Sequence, residues 1–289
     1  MIATPSLARR ADVKMSFMTV PALKTKIQGP IAVIGDVHGQ VDKLAVVLDK
    51  LKKLPDYQHR WIVFIGDFVD RGRDSKGAID LFLKLLNDHP RTTAIAGNHE
   101  FAMCSALGWL SSREGSNWGE RWVKHYNSDK TFASYGAEVG SLDDLNAKVP
   151  AEHRELLVNL PWCVEHPQLL FVHAGLNPNA PFATQLRILH QKDFSLNRPE
   201  WLCEKSFVEA DPPKDCPLTV VSGHVRVDEV QIRAKRILID TTGGDGGDLS
   251  CVLMPEKKVV SSGSGAASRS SRAMATTSPG KSSWWNLWG

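Results

Sequence analysis

Five short apolar runs in this chain each end in a tight turn that carries a carboxylate, an amide or an imidazole. The runs are Ile31–Ile34, Trp61–Ile65, Thr92–Ala96, Leu169–Val172 and Thr219–Val221. Their turns read Gly35-Asp-Val-His-Gly39, Gly66-Asp-Phe-Val-Asp-Arg-Gly72, Gly97-Asn-His-Glu100, Val172-His-Ala-Gly175 and Ser222-Gly-His224. A continuous apolar run of this length, bounded by a turn, reads as a strand buried on both faces. In an open α/β sheet, ligands bind beyond the carboxyl ends of the strands. The five turns are therefore expected to converge, with glycine allowing sharp reversal and close approach of a ligand to the backbone.

Helical spacing separates the first strands. Val41 to Leu54 places Leu44, Val47, Leu48 and Leu51 on one face before Pro55 stops it, and Lys76 to Leu86 repeats the pattern. The resulting β-α-β-α-β order predicts an α/β fold with a mostly parallel sheet. Residues 101–161 differ, being rich in Trp, Gly, Ser and charge, with helical pieces around Phe101–Leu110 and Glu152–Asn159. They read as a helical and loop cap. Ser250 to Met254 reads as a last strand, and Val230, Ile232, Ile237 and Ile239 suggest an antiparallel layer near it.

The turn residues suit a particular chemistry. Carboxylate, imidazole and amide oxygen donors favour Mn, Fe or Zn over a soft thiolate-bound ion. Asp36, His38, Asp67, Asn98, His173 and His224 are the candidate metal ligands. A bridging carboxylate such as Asp67 could hold two ions ~3.5–4 Å apart, which would acidify a shared water and orient it for in-line attack on phosphorus. No cysteine or serine nucleophile is needed. Each motif alone is weak, since a lone Asp-x-His or a buried histidine is commonly structural. Five in series, each after a strand, point to a site.

At this point the chain resembles the phosphoprotein phosphatase branch of the calcineurin-like metallophosphoesterases. Gly35-Asp-x-His-Gly39, Gly66-Asp-x-Val-Asp-Arg-Gly72, Gly97-Asn-His-Glu100, His173 and His224 carry the resemblance, which spans about Ile31 to Pro255. The stretches Thr131-Phe-Ala-Ser-Tyr-Gly136, Val149-Pro-Ala-Glu-His153 and Ile239-Asp-Thr-Thr-Gly-Gly244 are similar to the Rhizobiales-like protein phosphatases within that branch.

The resemblance implies a β-sandwich flanked by helices in four layers, with two divalent ions at the strand ends. It implies that Asp36 and His38 bind the first ion, that Asp67 bridges, and that Asn98, His173 and His224 bind the second. His99 would protonate the leaving group of an ester attacked by a metal-bridging hydroxide. Asp70 would orient His99 and raise its pKa, and Arg71 would clamp the phosphate. Manganese is the expected metal, with iron or zinc as alternatives.

The chain lacks the Asn-Asp-Arg-Gly segment that supplies a second phosphate arginine in eukaryotic Ser/Thr phosphatases. It also lacks their C-terminal Ser-Ala-Pro-Asn-Tyr segment. Both absences argue against ordinary Ser/Thr phosphatase recognition, and the resemblance to the Rhizobiales-like group, whose plant members are tyrosine-directed, implies a phosphoprotein substrate with phosphotyrosine favoured. The alternatives are a Ser/Thr phosphatase and a small-molecule or dinucleoside polyphosphate hydrolase. A non-catalytic binding protein with an inert metal site is a further alternative, against which intact His99, Asp70 and Arg71 argue.

Substrate recognition is expected from Arg71 and Asn98, and from Arg121 and His125 in the segment Gly108–Gly136. That segment also carries Trp109, Trp118, Trp122, Arg113, Lys124 and Lys130. The competing reading is that its tryptophans pack on the core.

Composition bounds the rest. The chain has 289 residues, 42% of them hydrophobic, enough for one sizeable domain. A formal net charge of +3 does not describe a nucleic-acid binder. No apolar run approaches the ~20 residues of a transmembrane helix. Five cysteines, Cys104, Cys163, Cys203, Cys216 and Cys251, lack CxxC spacing and read as reduced thiols. A cytoplasmic protein is expected, with nuclear or organellar placement left open. Residues 1–30 read as a basic, disordered extension, with a transit peptide as the alternative. Residues 31–260 read as the catalytic domain. Residues 261–289 form a Ser/Gly-rich tail ending in Trp284-Trp285-Asn286-Leu287-Trp288-Gly289. That motif reads either as a docking segment for a partner or as a tail that folds back.

Overall fold

The computed structural model describes residues 20–111, 115–244 and 246–263. The extension before residue 20, Arg113, and the tail with its tryptophans lie outside the described residues.

Strand β1 (Ile31–Ile34) is followed by helix α1 (Val41–Leu51), β2 (Trp61–Phe64), α2 (Ser75–Asp88) and β3 (Thr92–Ala94), and the three strands are parallel. Helix α1 buries Leu44, Val47, Leu48 and Leu51, the face its spacing predicts. The Asp74 carboxylate caps α2 by accepting from Gly77 N at 2.7 Å. Five helices follow: α3 (Asn98–Ala106), α4 (Trp118–His125), α5 (Asp129–Ser134), α6 (Leu142–Lys148) and α7 (Ala151–Asn159). The chain then enters β4 (Cys163–Glu165) and β5 (Leu169–Val172), passes through α8 (Phe182–Gln191) and α9 (Glu200–Cys203), and reaches β6 (Thr219–Ser222). It closes with β7 (Gln231–Ile232), β8 (Arg236–Leu238), β9 (Ser250–Met254) and β10 (Lys258–Ser261).

The strands form two five-stranded sheets, ordered β10-β9-β1-β2-β3 and β4-β5-β6-β8-β7. Alternation along each strand decides the layers. Ile31 and Val33 of β1, Val63 of β2, Phe171 of β5, Val221 of β6 and Ile237 of β8 meet in one core between the sheets. Ala32, Ile34 and Phe64 point the other way, into a core shared with α1 and α2. Leu170, Val172 and Val220 do the same for the second sheet beneath Leu189 of α8 and Leu202 of α9. The result is an α/β sandwich with helices outside both sheets, as expected. The antiparallel layer expected near the end is β7 against β8.

Trp118, Trp122, Phe132, Leu145 and Leu156 of the helical cap are buried in the same cluster as α1 and α2, so the reading in which Trp118 and Trp122 pack on the core is the one seen. One expectation changes: the disordered extension does not run to Pro30. Ile27 N donates to Glu165 O at 2.9 Å and Glu165 N to Thr25 O at 2.8 Å, so this segment pairs with the edge of β4. Among the described residues, no helix is long and apolar enough to cross a membrane. All five cysteines are free and buried.

Candidate active site and metal centre

The turns after β1, β2, β5 and β6, together with the start of α3, meet at one end of the two sheets. Among the described residues, eight non-glycine residues have positive φ, and five of them are His38, Asp67, Asp70, Arg71 and His224. Such backbone is costly outside glycine and persists only where surrounding contacts hold it. Glu100 supplies one set of those contacts. Its buried carboxylate accepts from Asp67 N at 2.8 Å, Phe68 N at 2.7 Å, Val69 N at 3.2 Å and Gly97 N at 2.9 Å. The last of these closes the first turn of α3 in capping-box fashion. A side chain at Gly97 would collide with Asp67 Oδ1, and one at Gly223 with Asp36 Oδ1.

Asp67 is the centre of the arrangement. Its Oδ2 lies 3.4 Å from His38 Nε2, 3.3 Å from His173 Nε2 and 3.9 Å from His99 Nε2. His38 Nδ1 donates to Val69 O at 2.9 Å and His173 Nδ1 to Ile65 O at 2.8 Å. Each imidazole therefore turns Nε2 toward the carboxylate, the orientation in which backbone carbonyls set metal-binding histidines. Asn98 Oδ1 lies 3.1 Å from His173 Nε2 and 2.8 Å from His224 Nδ1. Asp36 Oδ2 accepts from His224 N at 2.9 Å.

Two groups could each hold a cation: His38, Asp67 and His99, and Asp67, His173 and His224, with ligand atoms inside 4.8 Å of one another. Geometry thus puts His99 in the first group, where the resemblance puts Asp36. The buried atoms Asp36 Oδ1, His38 Nε2 and His224 Nε2 have no hydrogen-bond partner among the described residues. Orphaned acceptors of this kind, in a set of carboxylate, imidazole and amide donors, fit divalent ions.

The electrostatics agree. Burial, with His99 nearby, pushes His38 down to about 3, and burial also holds His224 well below its usual range. Both imidazoles are neutral, the form that binds metal. Burial opposes the charge on Asp67, but His173 and His99 outweigh it and hold the carboxyl well below its usual range. Burial likewise opposes a proton on His173, yet Asp67 raises that imidazole to about 10. A divalent cation competes for the same lone pair. Burial and Asp240 raise Asp36 well above the carboxylate range.

Beside this centre, His99 Nδ1 lies 2.8 Å from Asp70 Oδ2. Trp122 Nε1 donates to the same oxygen at 2.8 Å, and Thr131 Oγ1 donates to Asp70 Oδ1 at 2.7 Å. The expectation that Asp70 raises the His99 pKa does not hold here. Burial lowers His99 to about 3, more than Asp67 offsets, and burial raises Asp70 to about 8 against the hydrogen bonds from Thr131 and Trp122. Arg71 donates from Nη1 to Gly243 O at 2.9 Å, and its backbone N donates to Asn127 O at 3.0 Å.

The structure thus gathers Asp36, His38, Asp67, Asp70, Asn98, His99, His173 and His224 at one end of the sandwich. Arg121 lies 5.2 Å over the Trp118 ring, and Tyr126 faces His99 edge-on at 4.9 Å. His125 is exposed at the end of α4, on the same helix as exposed Glu120. Three site residues escaped the sequence reading. Glu100 lies inside the recognised Gly97-Asn-His-Glu100 motif, so a role there was legible. Thr131 opens a stretch that carries the resemblance and Trp122 lies in the expected recognition segment, but they reach Asp70 from 61 and 52 positions away, and nothing local links them to it.

The sequence profile of the calcineurin-like phosphoesterases matches residues 29–246. The chain is 31% identical to the symmetrical bis(5'-nucleosyl)-tetraphosphatase of Glaesserella parasuis over 156 residues, 53% of this chain and 47% of that enzyme. It is 28% identical to the serine/threonine-protein phosphatase SIT4 of Candida albicans over 165 residues, 56% of this chain and 45% of that protein. The chain therefore spans about half the length of these curated relatives. A cold-active protein-tyrosine phosphatase of Shewanella has a similar fold, with a TM-score of 0.54 at 15% identity, covering 83% of this chain and 82% of that one.

Proposed function

The chain belongs to the calcineurin-like phosphoesterase family, and from that premise we propose that it is a two-metal phosphomonoesterase acting on phosphoproteins, with phosphotyrosine preferred. The observation that carries this reading is Asp67 Oδ2 facing His38 Nε2 at 3.4 Å and His173 Nε2 at 3.3 Å. In this reading Asp36 and His38 hold one ion, Asn98, His173 and His224 hold the other, and Asp67 is shared. Manganese is our first choice, with iron and zinc as alternatives. Such ions, when bound, acidify water for attack on phosphorus and offset charge on the phosphoryl oxygens.

The protein's own groups do the rest. The His99–Asp70 pair carries the proton: His99 gives the Nε2 proton to the departing oxygen while the proton on Asp70 passes to Nδ1, and Asp70 holds Nδ1 so that Nε2 faces the ester. Arg71, fixed over Gly243, presents its remaining N–H groups to the phosphate as a planar fork. Asn98 contributes its amide, and Arg121 and His125 extend recognition outward along α4.

Two observations support an aryl ester. The groups around Asp67 are buried, which favours a phosphate carried on a long side chain. Tyr126 beside His99 offers a ring surface for a phenyl group. The 31% identity to a dinucleoside tetraphosphatase favours a second reading, hydrolysis of a dinucleoside polyphosphate. The test compares phosphotyrosine and phosphothreonine forms of one peptide with diadenosine tetraphosphate, in Mn²⁺. We expect the phosphotyrosine peptide to turn over fastest and chelation or Asp67→Asn to abolish turnover. Full activity after chelation would sink the two-metal reading, and faster hydrolysis of the dinucleotide would replace the substrate.

A further inference from the structure

Trp122 lies on α4, a helix whose outer face was expected to contact substrate, yet the side chain turns inward and is fully buried. A buried indole N–H needs an acceptor. Many carbonyls would serve, but Trp122 Nε1 takes Asp70 Oδ2 at 2.8 Å, the oxygen that also meets His99 Nδ1 at 2.8 Å. Thr131 Oγ1 donates to the other oxygen at 2.7 Å, and the Asp70 backbone N is held by Thr131 Oγ1 at 2.9 Å and Ser75 Oγ at 3.1 Å. Three side chains therefore converge on the one Asp70 carboxyl group. With Oδ2 shared between Trp122 and His99, the carboxylate cannot rotate without breaking one of the two bonds.

We propose that Trp122 is a positioning residue for proton delivery, its indole N–H fixing the Asp70 carboxylate that aims the His99 ring. The inference rests on the reading of His99 as the general acid. In that step the ester P–O bond breaks as a water oxygen bonds to phosphorus. The bonding pair goes to the leaving oxygen, which takes the proton from His99 Nε2. The imidazole is left neutral, with Nδ1–H on Asp70. Loss of the indole N–H should slow only reactions that need this proton.

The test is leaving-group dependence with simple aryl phosphates and the full chain in Mn²⁺. Phenoxide is a poor leaving group and needs the proton, whereas para-nitrophenoxide departs without it. Trp122→Phe should lower kcat for phenyl phosphate about tenfold, the scale of one lost hydrogen bond. It should change para-nitrophenyl phosphate less than about threefold and leave KM in place. If Trp122→Phe melts early, benzothienylalanine at position 122 keeps the bicyclic shape without the N–H, and the same split is expected. His99→Asn is the reference and should show a steeper split. A split for His99→Asn with none for the two Trp122 variants overturns the positioning role and leaves Trp122 a core residue. No split for His99→Asn overturns the general-acid reading and the inference with it.

Discussion

Replacing Glu100 with glutamine tests how the strained turn after β2 is held. Glu100 Oε1 accepts from Phe68 N and Val69 N, and Oε2 from Asp67 N and Gly97 N, at 2.7 to 3.2 Å. An amide must present its NH₂ to one of these donor pairs, so two bonds are lost and donors face donors. At ~1.5–3 kcal/mol for each bond to a charged acceptor, Glu100→Gln should cost about 3–6 kcal/mol. For a chain of this size ~2–4 °C accompanies each kcal/mol, so the melting temperature should fall by about 6–24 °C. Burial, with Asp67 nearby, raises the Glu100 carboxyl to about 7, so the comparison belongs near pH 8, where the carboxylate is charged. The assay is differential scanning fluorimetry, with exposed Glu152→Gln as control, expected within ~0.5 kcal/mol of the parent. Because Asp67 N is one of the four donors, Mn²⁺ affinity by calorimetry should also fall. A Glu100→Gln melting temperature within the error of the control would refute the argument that one carboxylate clamps the turn.

Other outcomes follow from particular contacts. A Cβ at Gly244, where φ is +87°, would collide with Arg71 Cδ, so Gly244→Ala should raise KM for para-nitrophenyl phosphate several-fold while the metal content stays that of the parent. Parent-like kinetics would show that Arg71 does not depend on the Gly243–Gly244 turn. Burial, opposed by Asp80, keeps the His153 imidazole below its usual 6.5. The unfolded chain then binds more protons below pH 6.5, so this contribution to stability is complete above that pH and is lost as pH falls. His153→Gln should flatten the acid side of the melting-temperature profile, and an unchanged slope would dismiss the residue as its source.

Much of the site was legible because its residues sit where the chain must leave a strand. Gly35-Asp-Val-His-Gly39 and its four companions are local strings, and each follows an apolar run that allows little besides a buried strand. Parallel strands carry their carboxyl ends to one edge, so convergence of Asp36, Asp67, Asn98, His173 and His224 followed from topology. The pairing of β9 antiparallel to β1, with Ile31 opposite Met254, was not legible. Nothing local in Ser250–Met254 encodes which strand it will join. The segment from 101 to 161 left two readings open for a related reason. Its tryptophans and charges describe a surface as readily as a core, and only packing decides between them.

The sequence by itself determined the strands, their order of chemistry and the donor types available at their ends, because all three are properties of a few consecutive residues. Only the tertiary structure decided how those donors are aimed. The backbone carbonyls of Val69 and Ile65 turn His38 and His173, and Glu100 holds the turn of Asp67. Trp122 and Thr131 come from distant helices to fix Asp70. Aim depends on groups far apart along the chain that meet only when α4 and α5 pack on the core, so it cannot be read from any local string.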